Sequence, residues 1–153
     1  MIYRKEFTQF LPIDISDAWK FFSDPTKLSV ITPPEMNFKI ISGKDNSCTY
    51  AGQIITYYVS PLANFPLKWV TEITHVQAPN YFVDEQRKGP YKMWHHQHHF
   101  KSVNGGVEMT DILHYEIGYS FIGRFMNNLF IEKKINAIFE YREKKLKLLF
   151  EIV

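Results

Sequence analysis

Residues 94–115 read WHHQHHFKSVNGGVEMTDILHY, and this stretch decides the fold. Two runs that favour β-structure flank the dipeptide Asn104-Gly105, which is the strongest short-range signal for a β-hairpin. A two-residue type I′ turn places Val103 opposite Gly106 and thereby fixes every other cross-strand pair. The stretch therefore predicts two long antiparallel strands, about Tyr91 to Val103 and Val107 to Ile117.

This register gives the hairpin one mostly apolar face and one mostly polar face. On the apolar face the predicted pairs are Phe100 with Met109, His98 with Asp111, His96 with Leu113, and Trp94 with Tyr115. On the polar face they are Lys101 with Glu108, His99 with Thr110, Gln97 with Ile112, and His95 with His114. Three polar residues, His96, His98 and Asp111, thus point into an apolar interior, where they need partners.

The remaining segments extend the sheet and cover it. A first strand, Ile2 to Phe10, precedes a short helix capped by Asp14 or Ser16 and a second short helix, about Thr26 to Ile31. The other predicted strands are about Phe38 to Ile41, Gln53 to Val59, Leu67 to Val76 and Tyr81 to Arg87. Everything after Ser120 is predicted to be helical, with a kink near Asn127 to Ile131 because two apolar stripes lie half a turn apart. This order predicts an α+β fold in which a long C-terminal helix covers a curved antiparallel sheet.

Composition restricts the class of protein. The chain has 153 residues, a net charge of +2, 45% hydrophobic residues and one cysteine, Cys48. These values predict one domain spanning residues 1–153, without the excess charge typical of disorder or of nucleic-acid binding. The first residues lack a signal-peptide pattern, and no apolar run approaches the roughly 20 residues of a membrane helix. We therefore expect a soluble cytoplasmic protein that does not insert into membranes.

Three more polar residues join the predicted interior. Arg142 lies within the apolar stripe of the last helix, and Asp84 and Gln86 alternate with Phe82 along their strand. A satisfied structural network and a ligand-contacting site explain this pattern equally well. His96, His98 and Asp111 are also ligand types for iron or zinc. No further ligand is required by the pattern, however, so no metal and no cofactor are predicted.

The interior positions form a recognisable pattern. It runs Phe82-x-Asp84-x-Gln86-x-x-Gly89-Pro90-Tyr91-x-x-Trp94-x-His96-x-His98-x-Phe100, then Asp111-x-x-x-Tyr115, then Phe139-x-Tyr141-Arg142. This pattern resembles a bacterial branch of the START-like (SRPBCC) superfamily, often labelled polyketide cyclase/dehydrase and related in fold to the birch-pollen allergen. The resemblance implies a helix-grip fold: a seven-stranded antiparallel sheet around a long C-terminal helix, with a cavity between them. It also implies apolar ligands such as lipids, hormones or polyketides, and cyclisation or dehydration in some members.

The first functional hypothesis is binding or carriage of a small hydrophobic molecule with a polar end. The partner is then that molecule, and the protein is a monomer or a homodimer. The residues predicted to contact the ligand are Asp84, Gln86, Trp94, His96, His98, Phe100, Asp111, Tyr115, Phe139 and Arg142.

Two alternatives stay open. The second hypothesis is a cyclase, dehydratase or isomerase in which His98 acts as a general base oriented by Asp111, while Tyr115 or Arg142 stabilises an enolate. The third is a regulatory or partner-binding domain in which the polar network only holds the last hairpin to the helix.

Overall fold

In the computed structural model, which describes residues 1–44, 48–60, 65–118 and 130–150, the strands form one antiparallel sheet. Its seven strands are β1 (Ile2–Leu11), β2 (Lys39–Ser42), β3 (Ile54–Val59), β4 (Leu67–Gln77), β5 (Tyr81–Lys88), β6 (Met93–Val103) and β7 (Gly106–Glu116). Their spatial order is β1-β7-β6-β5-β4-β3-β2. The helices are α1 (Ile15–Phe22) and α2 (Glu132–Phe150), with short 3₁₀ helices at Pro25–Ser29 and Pro34–Met36. The predicted α+β layout is confirmed.

The β6–β7 register is the predicted one, but the turn type is not. Val103 pairs with Gly106, and the pairs continue through His98 with Asp111 to Trp94 with Tyr115. Gly105 has a φ of 82°, whereas Asn104 does not have the positive φ that a type I′ turn needs. A positive φ at the second central residue alone is the pattern of a type II turn. The register is unaffected because the loop still contains two residues.

Most strand ends lie within a residue or two of the predicted positions. The clearest difference is the start of β6, which begins at Met93 and not at Tyr91. The Gln86 side chain explains it: its Nε2 donates to the Tyr91 carbonyl (2.6 Å), and its Oε1 accepts from the Tyr91 N–H (3.2 Å). Tyr91 is therefore held in the β5–β6 connection.

The segment after β1 differs in detail from the prediction. Asp14 occupies the N-cap of α1 without a side-chain hydrogen bond. The second predicted helix is the 3₁₀ helix Pro25–Ser29, whose first turn is closed by Asp24 accepting from the Thr26 N–H at 2.9 Å. The 3₁₀ helix Pro34–Met36 was not predicted. The predicted kink and the start of the last helix fall largely on residues 119–129, outside the described residues.

Helix α2 lies across the inner face of the sheet. It buries Ile135, Phe139, Arg142 and Leu146, which recur at three- and four-residue spacing and so share one face. Ile135 and Phe139 pack near Leu113 and Tyr115 of β7. Leu146 packs in the cluster beneath α1. One charged residue, Arg142, thus lies on the face that covers the sheet.

Candidate functional site

Four polar side chains meet on the inner face of three adjacent strands. Asp84 comes from β5, His96 and His98 from β6, and Asp111 from β7. Cross-strand pairing sets Asp84 opposite His96 and His98 opposite Asp111. Since alternate residues of a strand share a face, the spacing of the two histidines brings both rings between the two carboxylates. The ring centroids are 3.9 Å apart.

Each histidine contacts both carboxylates. His98 Nε2 is hydrogen-bonded to Asp84 Oδ2 at 2.8 Å, and His96 Nε2 to Asp111 Oδ1 at 3.0 Å. His98 Nδ1 also lies 2.9 Å from Asp111 Oδ1, but this contact does not have hydrogen-bond geometry. His96 Nδ1 is 3.6 Å from Asp84 Oδ2. The predicted His98–Asp111 pair is therefore in contact, although the hydrogen-bond partner of His98 is Asp84.

The two histidines titrate in opposite directions. Burial lowers the pKa of His98, but its contacts with Asp111 and Asp84 outweigh burial and raise the pKa to about 8. Burial, reinforced by repulsion from His98, lowers the pKa of His96 below its usual value. Burial alone would raise the pKa of Asp84 and of Asp111, yet the histidines hold both below the usual range. At neutral pH the network thus contains two carboxylates and one imidazolium, on His98.

A mostly apolar cavity lies beside this network, between the sheet and α2. Its volume is about 180 Å³. Its walls include Tyr57 of β3, Trp69 of β4, Trp94 of β6 and Ile138 of α2. On the far side it reaches the 3₁₀ helix Pro25–Ser29. The polar network therefore forms one part of the wall of an otherwise apolar space.

All buried polar side-chain atoms that lack a hydrogen-bond partner in the described residues belong to residues lining this cavity. They are Ser23 Oγ, Trp69 Nε1, His98 Nδ1 and Arg142 Nε. Buried polar groups without partners are rare because each one loses its hydration without compensation. All four residues line the same cavity.

Comparison with solved structures identifies the fold. Protein CV1439 from Chromobacterium violaceum has a TM-score of 0.73 at 10% identity, with 99% of each chain covered. Ara h 8.0201 has a TM-score of 0.67 at 12% identity, covering 95% of this chain and 98% of its own. Ginseng major latex-like protein 151 from Panax ginseng has a TM-score of 0.67 at 9% identity, covering 97% of both chains. The chain shares the fold of these proteins, the helix-grip fold.

This likeness is found in the fold and not in the sequence. No protein-family model and no curated protein matches the chain. Identities near 10% establish the helix-grip fold and leave the function open. Within the described residues, no helix is long and apolar enough to cross a membrane.

The helix-grip structure divides the predicted site residues into two groups. Those lining the cavity are Asp84, Trp94, His96, His98, Phe139 and Arg142. Asp111, Phe100 and Tyr115 are buried beside or behind these residues and are not part of the cavity lining. Asp111 contacts His96 and His98, which line the cavity, but does not line it itself. Gln86 is also absent from the lining, because its amide group is engaged by the backbone of Tyr91.

Sequence reasoning missed several cavity residues. Trp69 and Thr71 of β4, Tyr57 of β3, and Ser23 after α1 all line the space. The Tyr57 hydroxyl lies 3.2 Å from Thr71 Oγ1, and burial raises the pKa of Tyr57 above its usual value. Trp69 and Thr71 share one face of their strand by simple alternation. That alternation was a usable signal, whereas no local pattern pointed to Ser23.

One group in the described residues could hold a metal ion. Asp84, His96 and His98 each offer one ligand atom, and these atoms lie within 4.8 Å of one another. The donor set suits zinc or iron. Against a metal stand the existing hydrogen bonds from these rings to the carboxylates, and the guanidinium of Arg142 nearby, which already attracts Asp84. The expectation of no metal stays a prediction.

Proposed function

We propose that the protein binds a small apolar molecule with a polar end in the cavity between the sheet and α2. The observation that carries this proposal is that Ser23, Trp69 and Arg142, each with a buried polar atom that lacks a hydrogen-bond partner, all line one mostly apolar cavity. Ligand sites typically combine apolar and aromatic walls with a few placed polar groups. The helix-grip fold supports apolar ligand binding in general.

Two further features support binding over a purely structural network. A sealed structural network satisfies its own polar groups, whereas here the Nε atom of Arg142, beside the network, has no hydrogen bond. The walls also supply large aromatic contact area: Trp69 meets Trp94 edge-to-face with ring centroids 5.3 Å apart, and Tyr57 stacks on Trp69 at 5.9 Å. Such rings bury much apolar ligand surface with few rotatable bonds.

A fluorescence titration with a neutral apolar probe, N-phenylnaphthylamine, tests this function. We expect saturable one-to-one binding that Ile138→Trp abolishes, because Ile138 lines the cavity and a tryptophan there fills it. Leu148→Trp is the matched control, since Leu148 is on the same helix but 61% exposed. The proposal fails if the probe does not bind the wild type, or if both variants bind it equally well.

Acid–base catalysis in the same cavity is the second candidate. One observation favours it: His98 lines the cavity, and its carboxylate contacts raise its pKa to about 8. His98 is then mostly protonated at neutral pH and suits a general acid, not the general base expected from the sequence. In this role His98 would donate a proton to a carbonyl oxygen of the ligand while water removes the α-proton. Deuterium exchange into the methyl group of an aryl methyl ketone in D₂O, followed by NMR, tests this role. Exchange no faster with wild type than with His98→Gln would exclude it for this substrate class.

A further inference from the structure

Arg142 is a buried charged residue that has no ion-pair partner in the described part of the chain. It projects from the buried face of α2 and is only 8% exposed. Its Nε atom is buried without a hydrogen-bond partner. A guanidinium remains protonated in proteins, so this side chain cannot escape the cost of burial by losing its charge. A buried, permanently charged donor with an unused N–H requires an acceptor.

The carboxylates nearest to Arg142 are already engaged. Asp84 is hydrogen-bonded to His98 at 2.8 Å and lies 3.6 Å from His96, and Asp111 contacts both rings at 2.9 and 3.0 Å. Among the described residues, no carboxylate oxygen lies within 4.0 Å of an Arg142 nitrogen. Arg142 does attract Asp84, but more weakly than either histidine does. The hydrogen bonds and close ion pairs of the network are therefore made without the guanidinium.

The guanidinium is also held in an orientation that suits recognition. Its central carbon lies 4.9 Å from the centroid of the Phe139 ring, one turn earlier on the same helix. Packing on an aromatic ring restrains a guanidinium and leaves its N–H edge for planar acceptors. Both residues line the cavity.

The other unpartnered atoms favour the same kind of ligand. Trp69 Nε1 is a donor only, and Ser23 Oγ carries a hydroxyl that can donate. With Arg142 Nε, the cavity therefore presents at least two groups that can only donate hydrogen bonds. A ligand rich in acceptors satisfies this set, whereas a cationic or donor-only ligand leaves it unsatisfied and adds repulsion from Arg142.

We propose that the polar end of the ligand is a carboxylate, held by the guanidinium of Arg142 inside the cavity. This inference rests on the proposed binding function and names its ligand class: small apolar or aromatic carboxylic acids. Arginine pairs with carboxylates through two parallel N–H···O hydrogen bonds, and charge-assisted bonds of this kind are stronger than neutral ones.

Competition between two ligands of the same shape tests the proposal. N-phenylnaphthylamine is bound first and then displaced by naphthoate or by naphthalenemethanol, which share a ring system but differ in charge. We expect naphthoate to bind wild type about 10- to 100-fold more tightly than the alcohol, the range of one charge-assisted hydrogen bond. In Arg142→Met this preference falls to about one, while Arg142→Lys retains part of it because the charge remains.

The outcomes separate the two proposals. If the neutral probe does not bind at all, the proposed binding function fails. If the probe binds but wild type treats naphthoate and the alcohol alike, only the carboxylate assignment is overturned. That second result needs no variant, so misfolding of Arg142→Met cannot obscure it. A preference for naphthoate that survives in a folded Arg142→Met would overturn the role of Arg142. Lys133→Met, on the same helix but exposed and outside the cavity lining, controls for the loss of a positive charge and should keep the preference.

Discussion

The stability of the protein should fall as the pH rises above neutral, because His98 then loses its proton. The carboxylates of Asp84 and Asp111 raise the pKa of His98 from 6.5 to about 8 in the folded state. A group with a raised folded pKa stabilises fully below its unfolded pKa, and this stabilisation disappears as the pH passes the folded pKa. The relevant window therefore runs from about pH 6.5 to above pH 8.

The size of the effect follows from the shift. A difference of about 1.5 pKa units corresponds to about 2 kcal/mol in the free energy of unfolding. His96 has a lowered pKa, so it adds a slope of opposite sign at the acidic end of this window, where the unfolded chain still binds part of its proton. The carboxylates contribute no slope in this window, since their pKa values lie below the usual range.

Urea unfolding at a series of pH values, followed by circular dichroism, measures this loss. The quantity to plot is the difference in unfolding free energy between wild type and His98→Gln, which cancels other groups that titrate in the same range. We expect it to fall by about 2 kcal/mol between about pH 6 and pH 9.5. His99→Gln serves as control: His99 lies on the outer face, and its lowered pKa keeps its own titration below this window. A flat difference, or a stability that rises with pH, would refute the account of the network.

The other predictions concern charge balance in the same interior. Asp111→Asn should lower the unfolding free energy by about 3–5 kcal/mol, as expected for a buried ion pair that loses one partner. The outer-face control Glu85→Gln should lower it by less than about 1 kcal/mol in the same urea assay. Equal losses would contradict the buried pairing. Arg142→Met should leave the unfolding free energy within about 1 kcal/mol of the wild-type value or increase it, because an apolar side chain of similar length replaces a buried charge without a close partner. A loss of several kcal/mol in thermal or urea unfolding would instead assign Arg142 a structural role. Zinc should bind below one equivalent in elemental analysis after dialysis, because the Asp84 and Asp111 carboxylates are already engaged by His96 and His98. A full equivalent that is lost on His96→Ala would show a metal site.

The sequence predicts the hairpin and its polar residues well because these follow from local rules. Asn104-Gly105 sets a two-residue loop, and alternation then assigns every side chain to a face, so the contact between His98 and Asp111 was predictable. The outward-facing, partly buried positions of His95 and His99 follow from the same alternation. Arg142 was likewise predictable, since it interrupts an apolar stripe at helical spacing.

The remaining details depend on contacts between distant segments. The register of β5 against β6 brings Asp84 to His98, and no turn motif between these strands specifies that pairing. The cavity also depends on how far α2 stands from β3 and β4, which is why Trp69 and Tyr57 were missed. Gln86 was predicted to face the ligand because it alternates with Asp84, but its amide is used by the Tyr91 backbone. The alternation of side chains along a strand does not predict that a backbone group will bind a side-chain amide in this way.

A crystal structure of the protein soaked or co-crystallised with naphthoate tests the central claim most directly. The account predicts ligand density between the sheet and α2, with the ring against Trp69 and Ile138 and the carboxylate within hydrogen-bond distance of Arg142. A cavity closed by side chains, or naphthoate bound only on the outer surface under conditions that saturate the protein in solution, would contradict it.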